Sequence, residues 1–75
     1  MKHRSLSALH PGECAYVCGL SDRCKIKRRL QDLGLIEGTK VVCLQKSPLG
    51  DPTAFSVRGA VIALRVEDSS EIFVE

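Results

Sequence analysis

Arg29-Leu30-Gln31-Asp32-Leu33-Gly34-Leu35-Ile36-Glu37-Gly38 is the stretch on which the fold turns. Ile26, Leu30 and Leu33 recur at i, i+4 and i+7, the stripe of a short helix lying on a core. Gly34 follows where that helix should stop, because glycine takes the left-handed conformation of a helix end without steric cost. Leu35 and Ile36 come next, and Glu37-Gly38 turns the chain towards a strand. One of the apolar pair is expected to plug the core beneath the helix, and the other to face out.

Upstream, Pro11-Gly12 punctuates the chain, and residues 13–20 read as a strand. Ala15, Val17 and Leu20 mark one face of it; Cys14, Tyr16 and Cys18 fall on the other. Ser21-Asp22 supplies a helix N-cap signal. Downstream, Thr39 to Lys46 is a second strand rich in β-branched residues, and Ser47 to Pro52 a loop. Phe55 and Val57 alternate in a third strand ending at Arg58-Gly59, and Ala60 to Arg65 forms a fourth. Glu67-Asp68-Ser69-Ser70 reads as a polar turn before a closing strand that carries Ile72 and Val74. Five short strands, with one short helix between the first and second, predict a mainly β chain. Residues 1–75 are expected to form a single small barrel, which removes sheet edges by closing on itself.

A chain of 75 residues buries only about 60% of its unfolded surface, so its core is marginal and a staple or partner is welcome. Cys14, Cys18, Cys24 and Cys43 would suggest disulfides in a secreted protein. Met1-Lys2-His3-Arg4 is basic, but no signal-peptide core follows before His10-Pro11-Gly12. The thiols are therefore expected to stay reduced in a cytoplasmic protein. No apolar run approaches the ~20 residues that span a bilayer.

The formal net charge of +2 is small, yet Arg23, Lys25, Lys27, Arg28 and Arg29 are clustered. Such a cluster fits a solvated helix face, an acidic protein surface or phosphate. Tyr16, Phe55 and Phe73 are the aromatic residues, and none interleaves with the cluster. A base-stacking platform for single strands is thus poorly supported, and no nucleic acid is expected.

The order of elements carries a resemblance. Leu6 and Leu9 precede Pro11-Gly12-Glu13, followed by the Arg29–Gly38 stretch and Pro48-Leu49-Gly50-Asp51-Pro52. Val57-Arg58-Gly59, Ala63-Leu64-Arg65 and Ile72-Phe73-Val74-Glu75 complete it. In these residues the sequence resembles the ferrous iron transport protein A (FeoA) family, small bacterial cytosolic domains with an SH3-like barrel. The resemblance implies an accessory role in ferrous iron uptake beside a large permease with a cytosolic GTP-binding domain, the ferrous iron transport protein B. A related domain closes iron-dependent repressors behind a helix-turn-helix, which this chain lacks.

Candidate site residues are the apolar side chains of the loops and the basic ones of the helix. Leu49, held between Pro48 and Gly50, is an apolar tip that loses little conformational entropy on docking. With Leu35 and Ile36 it is the expected contact for the permease's cytosolic part, and Arg28 and Arg29 are expected to steer towards acidic surface. Arg28 and Asp32 are four apart and can pair within the helix. The membrane would be reached only through the permease, and self-association stays open.

Metal-binding or iron sensing is the alternative, using the cysteines; a small nucleic-acid-binding barrel using the basic helix is another. Strand geometry separates the Cα atoms of Cys14 and Cys18 by about 13 Å, whereas sulfurs sharing a tetrahedral metal lie within about 4 Å. Cys43 reads as a small core residue. Cys24, expected in the first helical turn near Arg28, is a candidate reactive thiol. No cofactor is expected. No nucleophile–base pair or phosphate loop stands out, so the chain reads as non-catalytic.

Overall fold

Residues whose side chains alternate between core and solvent build the strands. Ala15 and Val17 are buried while Cys14 and Tyr16 are exposed, and Thr53, Phe55 and Val57 are buried with Ala54 and Ser56 between them. In the computed structural model, which describes residues 4–75, the chain runs β1 (Arg4–Ser5), a 3₁₀ turn (Leu6–Ala8), β2 (Cys14–Leu20) and α1 (Lys27–Asp32). It continues through β3 (Lys40–Lys46), β4 (Thr53–Val57), β5 (Ala60–Leu64), α2 (Val66–Ser69) and β6 (Ile72–Val74). The basic residues Lys2 and His3 lie outside the described residues.

All pairings are antiparallel, in the order β1-β6-β2-β3-β4-β5. β2 spans both halves of this sheet: residues 14–16 pair with β3, and residues 17–20 with β6. Cys18 is the extra residue of a bulge against β6, and Leu44 of a bulge between β3 and β4. Bulges bend a strand and sharpen its twist. The sheet curls accordingly, so that Leu6, Val17, Leu30, Val41, Phe55 and Val74, drawn from the 3₁₀ turn, α1 and four strands, share one core.

The expected barrel with one helix between its first two long strands is present, with a sixth, two-residue strand added at the N-terminal side, but it does not close fully: β1 and β5 end the strand order, and the expected removal of sheet edges is corrected. Three local readings are corrected. Ser21 does not cap α1; its Oγ accepts from the Arg23 N–H at 3.1 Å and its carbonyl from the Cys24 N–H at 3.1 Å, closing a separate turn. The helix begins only at Lys27, with no side-chain cap. The polar stretch after β5 enters the short helix α2 instead of a plain turn.

The helical stripe differs as well. Leu30 is buried, but Leu33 is exposed and Leu35 takes its place in the core. The helix end explains this. The Leu35 N–H donates to the Leu30 carbonyl at 2.9 Å and the Gly34 N–H to the Gln31 carbonyl at 3.0 Å, with Gly34 at φ +102°. That pair of bonds is a Schellman motif, whose geometry folds the residue after the glycine back against the helix's last turn. Leu30 and Leu35 are thereby buried together, and Leu33 is turned out.

Candidate partner-binding surface

The end of α1 meets the β4–β5 hairpin. Arg58 and Gly59 form its two-residue turn with φ of 52° and 85°, the two positive values of a type I′ turn, which matches strand twist. This turn carries the Arg58 side chain over Gly34, where an added Cβ would lie 2.8 Å from Arg58 Cδ. Beside the junction is a shallow groove of 610 Å³ lined by Ile36, Gly38, Lys40, Val42, Ser56 and Arg58. Ile36 is 47% exposed. Leu35, expected with it as a docking residue, is fully buried; the Schellman motif withdraws it from any surface role.

Pro48, Leu49 and Gly50 are exposed, Leu49 to 94%. Their loop is nonetheless tied down. The Gly50 N–H donates to the Ser47 carbonyl at 2.8 Å and the Ser47 N–H to the Pro52 carbonyl at 3.1 Å. Asp51 Oδ1 accepts from the Val66 N–H at 2.9 Å, and Oδ2 lies 3.8 Å from Arg65 Nη1. Asp51 thus caps α2 from a distant loop, a service its own N-cap residue, Arg65, does not perform. The ladder from Val41–Val57 to Lys46–Thr53 separates this loop from the Ile36 groove, by roughly 17 Å at ~3.3 Å per residue. Ile36 and Leu49 therefore belong to two patches, not one.

Arg28 and Arg29 are both exposed on α1. The expected Arg28–Asp32 pair does not form among the described residues; the ion pair at this helix is Lys27 to Asp22, at 3.2 Å. Exposed pairs on so short a helix gain little. Arg29 lines a second groove, of 390 Å³, with Ile26 and Leu33 on the α1 side and Ile62, Arg65 and Asp68 facing them. Arg65 joins that groove to the Leu49 loop through Asp51. Leu33, Arg58 and Arg65 are site-lining residues that sequence reasoning missed. Arg58-Gly59 as a two-residue hairpin turn was the one signal that marked any of them.

The cysteines do not converge. Cys14 is exposed, Cys18 half-buried, and Cys24 and Cys43 buried. Cys24 is not the exposed thiol expected in the first helical turn, because the turn closed by Ser21 packs it into the core ahead of α1. Burial pushes the Cys43 thiol pKa up. Desolvation and then the Glu75 carboxylate push that of Cys18 up as well. Among the described residues no three His, Cys, Asp or Glu side chains gather as a metal site. Glu13 is held below the usual carboxylate range, chiefly because the His10 N–H donates to its Oε1 at 2.7 Å, with Arg4 assisting at 3.7 Å.

The family model of the FeoA domain matches residues 4–75. A curated relative, the Fe(2+) transport protein A/Fe(2+) transporter FeoB fusion protein of Porphyromonas gingivalis, is 31% identical over 70 residues. That match takes in 93% of this chain but only 8% of the relative's length. Among solved structures, the FeoA-like protein of Clostridium acetobutylicum superposes with a TM-score of 0.91 at 31% identity, covering 100% of this chain and 87% of that one. The zinc complex of Stenotrophomonas maltophilia FeoA, described as a prokaryotic SH3 domain protein, gives a TM-score of 0.84 at 29% identity, covering 95% and 88%. The barrel is therefore SH3-like. No helix among the described residues is long and apolar enough to cross a membrane.

Proposed function

The chain belongs to the FeoA family, and on that premise we propose that it is a non-catalytic cytoplasmic accessory of ferrous iron uptake. It docks on the cytosolic, GTP-binding part of a FeoB-type permease and modulates it. The observation that carries this reading is the Porphyromonas gingivalis relative, in which a segment like this chain and the transporter are one polypeptide. Parts joined in one chain are held at high effective concentration, and a separate chain must supply by affinity what fusion supplies by tether.

The surface offers means for that affinity. Leu49 is an apolar tip on a loop already fixed by Asp51, so its burial costs little ordering. Arg29 adds positive charge in the groove that Arg65 shares, and Arg28 is exposed next to it on α1. Ile36 belongs to a separate patch at the other end of the β3–β4 hairpin. The test is a pull-down of the permease by wild type and by Leu49→Asp. Capture by wild type and loss in the variant supports docking through the tip. Equal capture removes Leu49, and no capture by wild type removes the docking reading.

A further inference from the structure

β5 is a sheet edge: its ladder partner is β4, and Ala60-Val61-Ile62-Ala63-Leu64 carries no charge. Natural edges are usually blunted with charge, proline or a cover. The type I′ turn fixes which backbone groups face which way. In a two-residue hairpin the residues flanking the turn form a hydrogen-bonded pair, and bonded and non-bonded pairs then alternate. Val57–Ala60, Phe55–Ile62 and Thr53–Leu64 are the bonded pairs. Val61 and Ala63 consequently aim their N–H and C=O groups away from β4, and among the described residues neither bonds elsewhere in the chain.

Ala63 lines the groove of 390 Å³ that borders this edge, and Val61 continues the same edge beyond it. Ile62 and Leu64 point to the inner side of the sheet and Ala63 to the outer side, so a groove touching all three runs along the strand's edge. Its opposite wall is α1. The C-terminal end of α1 is held at the β5 hairpin by the Gly34–Arg58 packing, and its N-terminal end lies near α2. The helix stands alongside the edge without bonding to it.

We infer that this groove receives an extended segment of the partner as an added strand on β5, paired through the backbones of Val61 and Ala63. The reading rests on the docking proposed above, the strand belonging to the permease. A strand here sets alternate side chains against Ile26, Leu33 and Ile62, so those positions are apolar. Arg29 projects at the α1 wall with no carboxylate partner among the described residues, so an acidic residue flanks the apolar ones. A second copy of this chain is a poor occupant, because two β5 edges meeting would drive each α1 into the other. Main-chain pairing supplies affinity in such additions and the alternate side chains supply selectivity.

Hydrogen exchange with mass spectrometry on the full chain, alone and with the full-length permease, tests this. Binding is expected to slow exchange in peptides covering Val61 and Ala63 by roughly tenfold or more. Ala63→Pro removes one outward donor while leaving the bonds to β4, and should weaken binding by about tenfold, the loss of one hydrogen bond. Permease binding with unchanged exchange in β5 overturns strand addition and leaves docking standing, and that arm uses the wild type alone. Absence of any binding overturns docking and strand addition together.

Discussion

Gly34 lies directly beneath Arg58, so close that a methyl group on the glycine would meet the arginine's Cδ at 2.8 Å. Both residues have positive φ, one ending a helix and the other turning a hairpin. Two local conformations that most side chains resist are thus stacked on each other, and they register α1 against the β4–β5 hairpin.

Gly34→Ala should therefore cost about 1–2 kcal/mol from the left-handed backbone alone, a fall in Tm of several degrees in a domain of this size. Arg58→Asn should raise Tm slightly, since Asn-Gly suits a type I′ turn. In the Arg58→Asn background the alanine should cost less than in wild type, but not nothing. Thermal unfolding of the two single variants and the double variant checks this.

Asp51→Ala should lower stability by about 1 kcal/mol through loss of the cap on Val66. Asp51→Asn keeps an acceptor and should recover most of it, because the Arg65 ion pair, at 3.8 Å and largely exposed, is worth little. Urea unfolding separates the three proteins.

The neighbours Leu35 and Ile36 should behave oppositely. Leu35→Ala empties a fully buried site and should cost about 2–5 kcal/mol, enough to unfold much of so small a domain. Ile36→Ser alters a half-exposed position and should stay within about 0.5 kcal/mol. Circular dichroism with urea titration distinguishes them.

Glu13 has a lowered pKa in the folded state, held there by the His10 N–H and by Arg4. Its stabilisation is complete above the unfolded value, about 4.3, and is lost as pH falls through the lower folded value. Stability of wild type should thus exceed that of Glu13→Gln by a constant margin above about pH 6, the two converging in acid. Unfolding midpoints measured from pH 7 to pH 2 would show a constant offset throughout if Glu13 had no such role.

Much of this was legible from the order of residues. Gly34 as a helix stop, Leu49 as an exposed tip, Cys43 as core and the alternation in β2 and β4 all follow from local rules. What escaped was set by distance along the chain. The exchange of Leu33 for Leu35 depends on where a six-residue helix starts, and the misleading Ser21 signal hid that. Asp51 caps a helix fifteen residues away, beyond any capping box. β1 has two residues, held by pairing with Val74 and Phe73, and no periodicity can be read from two. The free edge of β5 becomes visible only once the turn at Arg58-Gly59 fixes the alternation of its bonds.

Because β2 straddles both halves of the sheet, its two ladders close over very different lengths of chain. β3, β4 and β5 form a meander of short hairpins, whereas the β2–β6 ladder joins Val17 to Val74. Joining distant segments costs more entropy before any contact repays it. The meander is thus the natural nucleus, and the seam between the chain's early and late residues forms last. In stopped-flow kinetics Val57→Ala should chiefly slow refolding and Val74→Ala chiefly speed unfolding; the reverse pattern would place the nucleus at the seam. The strand that closes the barrel is the one whose loss from the folded state meets the lowest barrier, which makes its seam the place where unfolding starts.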